Sequence, residues 1–184
     1  MEIERRTALK LIAAGVIAER LEAAHHHLVT IAQAPAAYKL QFFSPAQNEL
    51  LDRLSDLIIP TDDHSPGAHE AKVSFFIDLM AANSKSDVQQ QWVSGLKAVE
   101  AEAQSRFRKP FLKLSPQQQD QIMAAMAANE GKPSTELEHF FARLKSMTID
   151  GYYTSAIGIH KDLQYKGNTA LAEFPGCTHP EHKA

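Results

Sequence analysis

Through the middle of the chain, apolar residues recur at steps of three and four. Leu50, Leu51, Leu54, Leu57 and Ile58 make one stripe, and Val73, Phe76, Ile77 and Met80 a second. Val88, Trp92, Leu96, Val99 and Ala103 make a third. A shorter one holds Ile122, Met123 and Met126; the last holds Leu137, Phe140, Phe141, Leu144 and either Met147 or Thr148. This spacing gathers each set on one face of an α-helix. No segment alternates at period two for more than a few residues, so strands are not expected.

Helix starts are marked repeatedly. Ser44-Pro45-Ala46-Gln47, Ser86-Asp87-Val88-Gln89, Ser115-Pro116-Gln117-Gln118 and Thr135-Glu136-Leu137-Glu138 each place a hydroxyl three residues before Gln or Glu. In a capping box the hydroxyl accepts from an orphan backbone N–H and the Gln or Glu reaches back to the cap. Proline suits the first helical position, where its missing donor is not needed. Breaks are equally plain at the turn-rich run from Pro60 to Gly67, at Arg108-Lys109-Pro110 and at Gly131-Lys132-Pro133. After Gly158 the pattern fades, and Gly167, Asn168, Pro175, Gly176 and Pro180 mark an irregular tail. The expected architecture is all-α: an N-terminal extension over 1–40, a domain of about five helices over 41–158, and a tail over 159–184 that contacts a partner.

The extension opens Glu4-Arg5-Arg6-Thr7-Ala8-Leu9-Lys10 and runs into a short apolar stretch from Leu11 to Ala18. Charge first and apolar residues second is the order of a bacterial export signal. Arg5, Arg6, Leu9 and Lys10 fit the twin-arginine pattern, which a receptor reads on already folded cargo. Small-residue cleavage sites are available around Ala32-Gln33-Ala34 and Ala34-Pro35-Ala36. An amphipathic helix with Leu9, Ile12, Val16 and Arg20 one turn apart is compatible with the same residues if the signal is retained. His25, His26 and His27 point about 100° apart on a helix, so they read as a solvated patch rather than a metal site.

Composition changes the picture little. The 184 residues are 44% hydrophobic and 22% charged, ordinary for a globular protein. A net charge of −3 with scattered basic residues offers nothing to nucleic acid. No apolar run approaches the roughly 18 residues of a membrane span. The lone cysteine, Cys177, excludes an internal disulfide and in an oxidising compartment invites pairing with another chain.

Catalytic fingerprints are missing from the sequence. There is no Gly-x-Gly-x-x-Gly and no phosphate-binding loop, so this chain is expected to bind no flavin itself. There is no Gly-x-Ser-x-Gly elbow, and no Cys-x-x-Cys-His for covalent haem. Two ligand-rich segments keep a small metal-dependent periplasmic enzyme open as an alternative. One is Asp62, Asp63, His64, His69 and Glu70; the other is the histidine-rich tail Cys177-Thr178-His179-Pro180-Glu181-His182. The plainer reading is that Asp62 and Asp63 cap a turn and that the tail touches a partner. Phe140 and Phe141 read as core, whereas Tyr152 and Tyr153, being adjacent, cannot share one direction. At least one is expected near the surface, where tyrosine often marks an interface.

The run Ile58-Ile59-Pro60-Thr61-Asp62-Asp63-His64-Ser65-Pro66-Gly67-Ala68, followed by Val73 and Phe76-Ile77-Asp78, resembles the gluconate 2-dehydrogenase subunit 3 family. So do Phe140-Phe141-Ala142-Arg143-Leu144-Lys145, Gly151-Tyr152-Tyr153-Thr154-Ser155, Tyr165-Lys166-Gly167-Asn168 and Phe174-Pro175-Gly176-Cys177-Thr178-His179-Pro180, together spanning about residues 41 to 182. The resemblance implies a small, non-catalytic subunit beside a large flavoprotein of the glucose-methanol-choline type. The large subunit would hold FAD and oxidise a sugar, sugar acid or glycoside, with a cytochrome c or separate carrier taking the electrons. The small subunit would lend its twin-arginine signal for export to the periplasm and support its partner's folding. Its form looks most like relatives that partner glycoside 3-dehydrogenases. Tyr152, Tyr153, Phe174, Cys177 and His179 are the expected partner contacts.

Overall fold

The three stripes that follow a Ser-Pro or Thr-Glu capping signal become helices with those caps in place. A computed structural model describes residues 38–168. The signal residues Arg5, Arg6, Leu9 and Lys10, the histidine run, and the tail residues Phe174, Cys177 and His179 lie outside the described residues. Within them, α1 runs Pro45–Ile58, α2 Val73–Ala82, α3 Ser86–Phe107, α4 Pro116–Met126 and α5 Glu136–Tyr153. A single 3₁₀ turn at Phe111–Lys113 leads into α4, and a π-helical turn at Gly158–Asp162 follows α5. The described residues contain no strand, as the absence of period-two alternation requires.

Ser44, Ser115 and Thr135 each cap a helix, with the reciprocal Gln47, Gln118 or Glu138 side chain accepting from the cap's own N–H. The fourth expected box is not made. Lys85 occupies the cap position of α3, and Ser86 lies inside the helix. Only three residues separate α2 from α3, and the Gln89 amide is drawn to the end of α2, donating to the carbonyls of Ala81 (3.0 Å) and Ala82 (3.3 Å). Gln89 therefore satisfies the C-terminus of one helix instead of the N-terminus of the next.

α5 packs against each of the other four helices and forms the axis of the core. Leu144 is fully buried on it, facing a layer that includes Leu51 and Leu54 of α1, Ile77 of α2, Val99 of α3 and Ile122 of α4. Thr148, rather than Met147, is the buried residue near its end, with its hydroxyl donating to Ser55 Oγ. An edge-to-face series of rings crosses the molecule from Phe42 through Phe43 and Trp92 to Phe140, at centroid spacings of 4.8, 6.1 and 5.8 Å. Gly95 allows that series to close: a Cβ there would sit 2.0 Å from Phe140 Cδ2.

Two expectations are corrected. The sequence stripe of α2 places Met80 inward, but it is 44% exposed, beside Leu79 at 41%. That helix is apolar nearly all round, so its period is ambiguous, and Val73, Ile77 and Ala81 take the inner face. Beyond Gly158, helical backbone continues through Asp162, where the sequence pattern suggested irregular chain.

Just ahead of α1 the chain is pinned to α2. The carboxylate of Asp78, fully buried, accepts from the backbone N–H groups of Gln41 (2.7 Å), Phe42 (3.1 Å) and Phe43 (2.7 Å). Three donors on one carboxylate compensate a buried charge that would otherwise be prohibitive.

Candidate functional site

The loop between α1 and α2 folds on its own polar side chains. Asp62 Oδ1 accepts from the backbone N–H of His64 and of Ser65, both at 2.8 Å, closing an Asx turn. The Ser65 and His64 N–H groups hold the Asp62 carboxyl below its ordinary range. Thr61 Oγ1 accepts from Gly67 N at 2.9 Å and donates to Glu70 at 3.0 Å. Glu70 is likewise lowered, first by its own backbone N–H and then by Thr61. Gly67 must be glycine for steric reasons, because a Cβ would lie 2.5 Å from Thr61 N and 2.7 Å from Ile59 O.

The foot of α5 docks on this loop through Tyr152. Its hydroxyl donates to Pro66 O at 2.7 Å and bonds Ser65 Oγ at 2.8 Å, and the residue is only 2% exposed. Tyr152 therefore has no surface to offer a partner, which corrects its place among the expected contacts. Tyr153, at 39% exposure, is the tyrosine that reaches the surface. Its ring stands edge-on to Tyr152 at 5.1 Å, and a hydrogen bond to the Asp162 carboxylate, followed by desolvation, raises its phenol pKa. His64 Nε2 bonds Asp162 O at 2.9 Å, so loop, helix and π-helical turn meet around one shallow cleft. Pro60, Asp62, Tyr153 and Asp162 are among its walls.

This geometry uses the acids and histidines of the metal alternative separately. Asp62 and Glu70 bond within the loop, His64 turns to Asp162, and His69 Nδ1 turns to Asp52 on α1. Among the described residues no three His, Cys, Asp or Glu side chains converge on a point that could hold a metal ion. Asp52 also accepts from Ser74 Oγ at 3.0 Å, which brings Ser, His and Asp together. The order is wrong for nucleophilic catalysis, however. The serine bonds the aspartate instead of the imidazole, so His69 has no proton to take from it.

Sequence reasoning passed over Asp78 as a structural residue, although a lone acid in the apolar run Val73–Ala82 was a visible signal. It also missed a polar cleft between α3 and α5 lined by Gln91, Ser94, Glu136, His139, Phe140 and Arg143, because those residues are remote in sequence and unremarkable singly.

No helix among the described residues is long and apolar enough to cross a membrane. Comparison with curated proteins returned no match, and neither did comparison with solved structures. A family model described as gluconate 2-dehydrogenase subunit 3 matches residues 45–176, from the first residue of α1 into the tail. With the helical body, the pinned loop and Tyr152–Tyr153 all inside that match, the chain belongs to the gluconate 2-dehydrogenase subunit 3 family.

Proposed function

We propose that this chain is the non-catalytic small subunit of a flavin-dependent sugar, sugar-acid or glycoside dehydrogenase. In this reading it exports and stabilises the large subunit that performs the chemistry. The family match over residues 45–176 carries the reading and makes the chain an accessory subunit of a dehydrogenase complex. The build of the loop before α2 supports it, because the Asp62 and Glu70 carboxylates are spent on hydrogen bonds within the loop, and the Tyr152 hydroxyl on holding that loop to α5. FAD belongs to a large glucose-methanol-choline-type partner, and electrons pass onward to a cytochrome c or a separate carrier. The closest functional setting is a glycoside 3-dehydrogenase.

Arg5, Arg6, Leu9 and Lys10 supply the address read by the twin-arginine export machinery, which delivers both subunits folded to the periplasm. Tyr153 from the body, with Phe174, Cys177 and His179 from the tail, contacts the large subunit. The test is co-expression of the tagged chain with its neighbouring genes. A large subunit with a flavin absorption band is expected to co-elute. A colourless small protein eluting alone overturns the reading. Cys177→Ser is expected to lower the yield or stability of the complex, and unchanged values remove the cysteine from the interface.

A further inference from the structure

Between α3 and α5 lies a cleft of about 290 Å³, remote from the loop before α2. Glu136, His139, Phe140 and Arg143 line it from α5 at steps of three and four, hence on one face. Gln91 and Ser94 close it from α3. Its floor is firm, since Phe140 is 3% exposed, wedged over Gly95 and edge-on to Trp92.

Arg143 is the unusual member. Arg53, Arg106 and Lys145 each pair with a carboxylate on the body's own surface. Arg143 is half-buried, and among the described residues it makes neither an ion pair nor a hydrogen bond. A guanidinium that loses water to burial gains nothing back until an anion arrives. Its planar fork fits a carboxylate in bidentate fashion. Glu136 in the same cleft does not fill that role, being seven residues back, about 10 Å along the helix axis. Gln91 and His139 add N–H donors, the Ser94 hydroxyl donates to Gln91 O at 3.4 Å, and Glu136 is suited to accept from hydroxyls instead.

We propose that this cleft is a carboxylate-binding site seated on Arg143. The carboxylate comes either from a free polyhydroxy acid or from an acidic side chain of the large subunit, and the second source rests on the function proposed above. The full chain is titrated with sodium gluconate, with glucose as the uncharged control, while backbone and side-chain NMR signals of Ser94, His139 and Arg143 are followed. For a free acid, gluconate moves these signals and glucose does not. Arg143→Gln then weakens binding at least about tenfold, Arg143→Lys falls between, and the exposed control Arg108→Gln has no effect. For a partner side chain, gluconate moves nothing. Arg143→Glu instead lowers the recovered two-subunit complex at least about tenfold with an unchanged melting temperature, and Arg108→Glu does not. If folded Arg143 variants change neither measurement, the site is overturned. If the unaltered chain recovers no large subunit, the proposed function falls, and the gluconate titration alone decides the cleft: no shift overturns it.

Discussion

Glu138 closes the start of α5 with four donors. Its carboxylate accepts from Ser134 N (2.7 Å), Ser134 Oγ (2.9 Å), Thr135 N (3.1 Å) and Asn129 Nδ2 (2.6 Å). The Ser134 N–H, then the Asn129 amide, hold its pKa at about 2, against an ordinary 4.5. A folded-state pKa below the unfolded one means that the stabilisation is fully present above pH 4.5. It is lost as the pH falls from there towards 2. Glu138→Gln is expected to melt below the unaltered chain at pH 7, with the gap closing near pH 2; an equal gap at both pH values would remove the carboxylate as its source. Gly95 sets two effects against each other. Alanine in a helix interior gains about 1 kcal/mol over glycine. The new Cβ would meet the Phe140 ring at 2.0 Å, and overpacking of that kind costs about 1–3 kcal/mol. The clash should win, because the ring can move off Gly95 only by giving up its edge-to-face contact with Trp92. Gly95→Ala is expected to lower the urea midpoint, and adding Phe140→Leu to recover part of the loss.

At the scale of elements, the binding of one helix to the chain before another decides how the body starts. The Asp78 clasp ties residues 41–43 to α2 across more than thirty positions of sequence. Asp78→Asn keeps the shape but turns one acceptor into a donor facing backbone N–H groups. Leaving such buried donors unpaired costs about 1–3 kcal/mol each, so a loss of about 3 kcal/mol is expected in chemical denaturation. Hydrogen exchange should locate it, with the amides of Gln41, Phe42 and Phe43 losing protection first while Leu144 keeps its own. Uniform loss of protection would mean that the clasp is not a local device. Helix boundaries were legible where Ser44, Ser115 and Thr135 announced them, since a capping box is a short-range interaction written within four residues. The start of α3 was misread because Gln89 had a better partner outside its own helix, and local sequence carries no record of such a competitor.

At the scale of the whole molecule, the described body is a helical scaffold around α5 whose foot holds the loop before α2 rigid through Tyr152. Tyr153 stands beside that anchor and is 39% exposed, so on the function proposed above the two tyrosines divide stability from contact. Tyr152→Phe should lower stability by about 1–3 kcal/mol through Ser65 and Pro66 groups left without the hydroxyl. Tyr153→Ala, which adds no charge beside Asp162, should lower the melting temperature less than Tyr152→Phe does while reducing recovery of the two-subunit complex. The opposite assignment of losses would overturn the division. What the amino-acid order determined by itself was the all-α class, most helix starts, the buried stripes of four of the five helices and the family. Each of these is encoded by neighbours within about two turns or by a continuous motif. What only the tertiary structure decided was which side of the apolar helix α2 faces inward and which of two adjacent tyrosines is core. It also decided that the acids and histidines near Asp62 diverge, and that among the described residues Arg143 sits half-buried without a carboxylate. Those outcomes depend on contacts between residues tens of positions apart, where packing and the competition for hydrogen-bond partners outweigh any local preference.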